Sequence, residues 1–257
     1  MLFGMAVHDT GQNNRTWMTE QTLWHLGKTV DMEKHRVIAV DNGSTPMTKV
    51  ILASYKWLTV ITLPENIGTA NAVNLAWRQR RPGEHCVKMD NDVTIAKVGW
   101  ADMIEDVFRR DPSIGICGLK RNDLMQSTYA EGDYVSTIRE LSHERGERWL
   151  YVEETASIMG TCQGFNSALL DKIGYLTQPN LYGYDDCLAS IRSEVAGFKN
   201  VFLVGVEIDH IDPGGTDYNK WKHAEAARAL SSFNTQVLMY RSGVQDVYSD
   251  GGFTDDV

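Results

Sequence analysis

The chain has 257 residues, 42% hydrophobic and 23% charged, a size and balance that suit one domain with a full core. Its formal net charge of −9 supplies no general attraction toward a polyanion or an anionic membrane, although a local basic groove can sit on an acidic protein. No apolar run approaches the length that spans a bilayer, and residues 1–7 lack the basic flank of a signal peptide, so neither a transmembrane segment nor a leader is expected. Four cysteines, Cys86, Cys117, Cys162 and Cys187, show no metal-type pairing and read as free thiols in a reducing cytoplasm.

Residues 2–7 read as a first strand, followed by a polar loop over 9–15. Leu23, Leu26 and Val30 fall at helical spacing, which predicts a helix over 17–30. A short apolar strand over 36–40 ends in the turn cluster Asp41-Asn42-Gly43-Ser44, and Pro46 suits the first turn of a helix over 48–56. A strand over 58–63 is closed by Pro64-Glu65-Asn66-Ile67-Gly68, and an alanine-rich helix follows over 69–80 with Thr69 as its N-cap. The next strand, 85–89, delivers Asp90-Asn91-Asp92. This alternation argues for βαβ units and a mainly parallel α/β sheet, whose ligands sit beyond the carboxyl ends of the strands. Three polar clusters at three successive strand ends, 41–43, 65–68 and 90–92, therefore wall one cleft.

Just past a strand end, the i, i+2 spacing turns both Asp90 and Asp92 toward that cleft. One or two carboxylates together with substrate phosphates are the usual oxygen supply for Mg²⁺. Solvated turn acids would give the same local pattern.

Further on, a helix over 100–110 is stopped by Asp111-Pro112, and a strand covers 114–119. Residues 120–148 lose regular period and read as a charged excursion, and 149–159 return to strand character. Gly160-Thr161-Cys162-Gln163-Gly164 reads as a small-residue loop. A helix over 185–195 is closed by Gly197 beyond its C-terminus, and a last strand over 199–208 ends at Asp209-His210. A long helix covers 216–240, and the polar tail 246–257 is expected to fray, leaving a single domain over 1–245.

Taken in order, these motifs resemble the inverting GT-A glycosyltransferases of the large family-two type and its rhamnosyltransferase-like members. The likeness runs from Ala6 to about Pro213 and is weakest between 120 and 149. The matching parts are Asp41-Asn42-Gly43-Ser44, Glu65-Asn66-Ile67-Gly68 with Asn74, Asp90-Asn91-Asp92, Gly160-Thr161-Cys162 with Ile173-Gly174, and Tyr184-Asp185-Asp186 with Arg192 and Gly197. Asp185 stands where Glu is commoner, Leu188 where many members carry another Asp, and Val73 where some carry an Arg. The last departure leaves compensation of the diphosphate charge to a metal or to another basic residue.

The resemblance implies a GT-A fold and a metal-dependent transfer of sugar from a nucleoside-diphosphate sugar, UDP before GDP or dTDP, to an acceptor hydroxyl. It implies Mn²⁺ or Mg²⁺ on Asp92, with Asp90 reaching the ribose or the metal and His210 as a third ligand, as in some GT-A enzymes. On the donor side it implies Asp41 and Asn42 at the base or ribose, and His8, Asp9 and Thr10 as a wall of the nucleobase. Asn66, Gly68 and Asn74 serve either the donor or a structural turn, Gly68 by a backbone conformation that other residues resist. Asp186 is the candidate general base and Asp185 the runner-up; either could instead only stabilise the start of its helix. The acceptor side falls to Gln163, Gly164, Tyr184 and Trp221.

Lys220, Trp221, Lys222, His223 and Arg228 make a basic, aromatic patch that reads as a solvated helix face or as an acceptor rim; Arg78, Arg80 and Arg81 make a second. Glycan, protein, small metabolite and hydroxylated DNA base all stay open as acceptors, as does inversion against retention. A nucleotidyltransferase would carry a Gly-rich basic loop near the N-terminus, which this chain lacks. A non-catalytic sugar-binding domain would have lost the Asp pair or Asp186, and both are present.

Overall fold

The computed structural model describes residues 1–11, 13–124, 137–214 and 217–252. The strands are β1 (Leu2–Val7), β2 (Arg36–Asn42), β3 (Leu58–Leu63), β4 (Cys86–Met89), β5 (Val93–Thr94), β6 (Ile114–Arg121), β7 (Thr137–Glu140), β8 (Tyr151–Thr155), β9 (Cys162–Phe165) and β10 (Lys199–His210). The helices are α1 (Arg15–Thr29), α2 (Pro46–Ser54), α3 (Thr69–Trp77), α4 (Trp100–Arg110), α5 (Ser167–Ile173), α6 (Asp185–Val195) and α7 (Asp217–Arg241).

One sheet runs β3-β2-β1-β4-β9-β6-β10-β8-β7, with β5 paired to β10 off this path. Strands β1 to β4 are mutually parallel, and β6 is parallel to β10. Strand β9 lies antiparallel between β4 and β6, so both blocks point their carboxyl ends the same way. This is the mostly parallel α/β sheet that the strand–helix alternation predicts.

Period-2 alternation along β1 and β2 divides the core. Phe3, Met5, Val37 and Ala39 pack with Leu23 and Leu26 of α1, Leu52 of α2 and Trp100 to Phe108 of α4. Leu2, Ile38 and Val40 pack on the other face with α3, α5 and Ala189 of α6. The sheet is thus covered by helices on both faces, as a parallel sheet requires.

Three expectations change. Residues 162–164, read as part of a loop, form a fully buried strand with Phe165. The small residues serve packing: a Cβ on Gly164 would lie 2.7 Å from Ile104 Cγ2. The N-cap of α3 is Gly68 at φ 90, not Thr69, which is the first helical residue. The tail is anchored through residue 249: Ser249 bridges Gly174 in parallel and exchanges backbone hydrogen bonds with Ile173 and Tyr175, each 2.9 Å. Arg192 Nε donates to the Val247 carbonyl at 2.7 Å, and Nη1 to that of Tyr175 at 2.8 Å. The matching arginine of α6 is therefore a buried clamp on the C-terminal segment. Most of the 120–148 excursion lies outside the described residues. Its end, β7, forms a hairpin with β8 and buries Leu141.

Candidate active site

A cleft of about 1080 Å³ opens at the carboxyl ends of β1, β2, β4 and β10. That is at the top of the range for a pocket holding one small ligand.

The turns after β2 and β3 form one wall of it as a single hydrogen-bonded unit. Asn42 Nδ2 donates to Asn66 Oδ1 at 2.8 Å and to the Gly68 carbonyl at 3.2 Å, while its Oδ1 accepts from Ile67 N at 2.9 Å. Gly43 has φ 74, and a Cβ there would sit 2.8 Å from the Glu65 Cα, so only glycine lets the two turns close. His8, Asn42 and Asn66 line the cleft. Asp41 is buried behind them, its Oδ1 accepting from Ser44 N at 2.8 Å and its Oδ2 without a hydrogen-bond partner among the described residues.

Other expected donor residues lie elsewhere. Asp9 accepts from the hydroxyls of Thr16, Thr45 and Thr48 and from Gly11 N, which ties the loop to α1 and α2. Thr10 is exposed beside that loop. Asn74 is fully buried and pins α3 to Leu176 through both ends of its amide, at 2.9 Å each. Gly68 shapes a turn against the Leu181 backbone. None of these four lines the cleft.

At the floor, β5 pairs with the end of β10, setting His210 opposite Val93, and Ile211 N donates to the Asp92 carbonyl at 2.9 Å. His210 Nε2 thereby comes 3.3 Å from Asp92 Oδ2. Asp92, His210 and Asp212 hold ligand atoms within 4.8 Å of one another. Asp92 Oδ1 is buried and has no hydrogen-bond partner among the described residues. Two carboxylates and an imidazole, with a buried oxygen left over, are a donor set that fits a divalent cation such as Mn²⁺.

The same two carboxylates are bridged by Arg15 at the start of α1: Nη1 donates to Asp92 Oδ2 and Nη2 to Asp212 Oδ2. Lys222 Nζ of α7 lies 3.7 Å from Asp212 Oδ2. Burial alone would raise the Asp92 carboxyl, but His210, Arg15 and Lys222 outweigh it and hold it well below the usual carboxylate range. Burial, with Arg15 beside it, pulls the Lys222 ammonium below its ordinary value.

Across the floor, Lys88 of β4 is buried and joins the two acid pairs. Its Nζ is 3.2 Å from Asp90 Oδ1, 3.2 Å from Asp185 Oδ2, and donates to the Gly160 carbonyl at 2.6 Å. Burial would lower this ammonium, but Asp185, Asp90 and Asp186 win and raise it. Asp186 is held by two backbone donors: Gly160 N to Oδ2 at 2.9 Å and Cys187 N to Oδ1 at 2.8 Å. Burial, and then the neighbouring Asp185, push the Asp186 carboxyl above its ordinary value. Tyr184, which precedes the pair, sits at φ 66 and stacks on Phe233 with centroids 4.3 Å apart. A bulky residue in that conformation is strained, a state that packing must hold and that gathers at functional sites.

At the mouth, Tyr184 and Trp221 line the cleft, and Trp221 stacks on Tyr218 at 5.5 Å. Gln163 and Gly164, expected on the acceptor side, do not: both lie buried within β9, Gln163 Nε2 donating to the Ile158 carbonyl at 3.0 Å. Lys120 pairs with Glu153, Arg121 with Asp123 and Lys220 with Asp217, so these basic residues carry their own carboxylates. Arg80 and Arg81 lie away from the cleft, in a shallow groove with Arg78.

Sequence reasoning missed Arg15, Lys88 and Asp212 as site residues. Lys88 had a signal: a lysine between Val87 and Met89 in an apolar strand shares the face of Asp90 two residues on. Asp212 follows His210 at the same spacing. Arg15 meets partners 77 and 197 residues away, which no local pattern reveals.

A sequence profile described as glycosyl transferase family 2 matches residues 14–174, more than half of the chain. No curated protein sequence matches it. Among solved structures, the fold is similar to the mannosyltransferase PcManGT from Pyrobaculum calidifontis in complex with GDP-Man and Mn²⁺: TM-score 0.64, 16% identity, 93% of this chain and 69% of that one. S. aureus TarS 1-349 in complex with UDP gives TM-score 0.57 and 18% identity over 80% of this chain and 59% of that one. GalNAc-T7 with UDP, GalNAc and Mn²⁺ gives 0.58 and 12% over 81% of this chain and 42% of that one. At these identities the likeness is one of fold, and the last two are matched over less than two thirds of their length.

Proposed function

Because the chain belongs to glycosyl transferase family 2, we propose that it moves a sugar from a nucleoside-diphosphate sugar, a UDP-sugar first, to an acceptor hydroxyl. The observation that carries this reading is Lys88 Nζ, 3.2 Å from both Asp90 and Asp185, which ties the donor-side acids to the base-side acids on one cleft floor. Fold relatives crystallised with UDP or GDP-Man support a donor of this class.

In the proposed reaction the acceptor oxygen bonds to the anomeric carbon as the bond from that carbon to the diphosphate breaks. The acceptor proton passes to the Asp186 carboxylate. Asp186 suits the role better than Asp185: its raised pKa favours proton capture, and two backbone donors fix its direction. Asp185 shares its oxygen with the Lys88 ammonium and acts as a positioning group. Asp92, His210 and Asp212 would hold Mn²⁺ or Mg²⁺, with Asp90 reaching the ribose. When bound, the ion supplies Lewis-acid stabilisation of the charge on the leaving diphosphate.

The acceptor we favour is an uncharged saccharide. Tyr184 and Trp221 give the cleft aromatic surface on which a sugar ring could pack, whereas a DNA backbone needs unpaired cations, and Lys120, Arg121 and Lys220 are already paired. A cytoplasmic setting, which keeps four free cysteines reduced, suits the reading. The test is a screen of UDP-glucose, UDP-galactose, UDP-GlcNAc and GDP-mannose with Mn²⁺. We expect metal-dependent sugar-nucleotide hydrolysis with at least one donor, and transfer once a saccharide acceptor is added. Silence with every donor would sink the reading.

A further inference from the structure

We infer that Arg15 is an exchangeable counter-ion: it closes the Asp92–Asp212 pair until a divalent ion and a diphosphate arrive together, then leaves those carboxylates for the diphosphate. The inference rests on the donor reading above. It also answers the departure at Val73, which leaves the diphosphate without the arginine that some members place there.

Geometry carries the argument. The guanidinium holds Oδ2 of both carboxylates, the oxygens nearest His210 Nε2 and Lys222 Nζ. A cation ligated through those oxygens would compete with the guanidinium for their lone pairs and lie close to its positive charge. Charge gives the same answer. Arg15 and Lys222 already balance Asp92 and Asp212, so a divalent ion added beside both would leave the buried corner with a net charge of two. Burying unbalanced charge is costly. A diphosphate brings the missing negative charge, and a planar guanidinium suits phosphate oxygens as well as it suits carboxylates.

Arg15 is also built to move. It begins α1, just after Asn14 at φ 55, and lines the cleft. Among the described residues its Nε has no hydrogen-bond partner, and the guanidinium also lies over the face of Tyr218, 5.0 Å from the ring centroid. Lys88, by contrast, is tethered to a backbone carbonyl as well as to its acids.

The consequence is thermodynamic coupling. If Arg15 must leave before the ion binds, ion and diphosphate each strengthen the other, by the same factor in either order. Calorimetric titration of Mn²⁺ alone, and then of Mn²⁺ with saturating UDP or GDP, measures that factor on the full chain. For Arg15→Gln we expect Mn²⁺ alone to bind about tenfold tighter or more, and the coupling with the diphosphate to fall by about the same factor. Arg15→Lys keeps the charge but cannot bridge two carboxylates, so it should lie between wild type and Arg15→Gln in both quantities. It also stands in should Arg15→Gln fail to fold. Unchanged or weaker binding of Mn²⁺ alone, or a coupling factor equal to wild type, would overturn the inference. Should neither nucleotide bind any variant, the donor reading fails, while the Mn²⁺-alone arm still decides whether Arg15 competes with the ion.

Discussion

Two corners of the cleft floor use the same device to different ends. In one, Arg15 bridges Asp92 and Asp212; in the other, Lys88 bridges Asp90 and Asp185. Both cations are almost fully buried and each offsets a pair of carboxylates, of which only Asp90 is substantially exposed, at 36%. They differ in what else holds them. Lys88 rises from the middle of a central strand and is bonded to the Gly160 carbonyl, so it belongs to the frame. Arg15 stands at a helix start beside a loop, held by the acids and a ring face. A buried ion pair is thus a fixed joint when the fold supplies a third tether. It becomes a replaceable stopper when the fold does not.

The largest effect should fall on the proposed proton acceptor, Asp186, beside the fixed corner. Asp186→Asn should lower kcat by about 10² to 10⁴, the usual worth of a general base, while leaving the Kd for the donor within about threefold. Asp185→Asn should cost less in kcat, because it acts through Lys88. Steady-state kinetics with donor titration reads both. Near-normal turnover in Asp186→Asn with a collapse in Asp185→Asn would exchange the two roles.

The next test breaks the corners apart by rescue. Lys88→Met leaves the buried Asp185 carboxylate and the partly exposed Asp90 carboxylate without their cation and should cost about 1–3 kcal/mol by denaturant unfolding. Arg15→Gln should destabilise as well, but Mn²⁺ at a hundred times its Kd should return about 2.7 kcal/mol to it. The same Mn²⁺ concentration should return about half of that or less to Lys88→Met, which keeps Arg15 and so binds the ion about tenfold more weakly. Equal rescue of both variants would erase the distinction.

A smaller effect concerns pH. Burial raises the Asp186 pKa in the fold above its unfolded value, so the folded state binds a proton more readily. The stability contributed by that proton is complete below the unfolded value of about 3.9 and is lost as pH rises through the folded value. At neutral pH, Asp186→Asn should therefore melt at the same temperature as wild type or slightly higher, with a flatter dependence of stability on pH through the acid range. Thermal melts from pH 4 to 8 check this. A clear drop in Tm at pH 7.5 would mean that the two backbone hydrogen bonds matter more than the buried charge.

Much of the frame was legible because local rules governed it. The alternation of apolar runs and helical spacing, with Pro46 at the first turn of α2 and Gly197 beyond α6, marked elements that the structure contains. Strand β9 was hidden because its residues are small for packing reasons, and Gly-Thr-Cys-Gln-Gly looks like a loop. In the site, Asp90, Asp92, His210, Asp185 and Asp186 stood out as acids or imidazole at element ends, and all of them line the cleft. Asp9 and Asn74 sit at equally suggestive positions, yet their hydrogen bonds are spent on holding loops and helices together. Composition cannot tell a polar group aimed at a ligand from one aimed at a carbonyl. Arg15 was invisible for the opposite reason, since its meaning comes wholly from partners brought from the far ends of β4 and β10.

The central claim is that Asp92 anchors a metal-dependent donor site. Isothermal titration of the best nucleotide-sugar donor into wild type and Asp92→Ala, each with Mn²⁺ and with a chelator, tests it most directly. We expect binding to wild type only when Mn²⁺ is present and no measurable binding to Asp92→Ala in either condition. Donor binding to wild type that is indifferent to the chelator, or binding to Asp92→Ala that equals wild type with Mn²⁺, would contradict it.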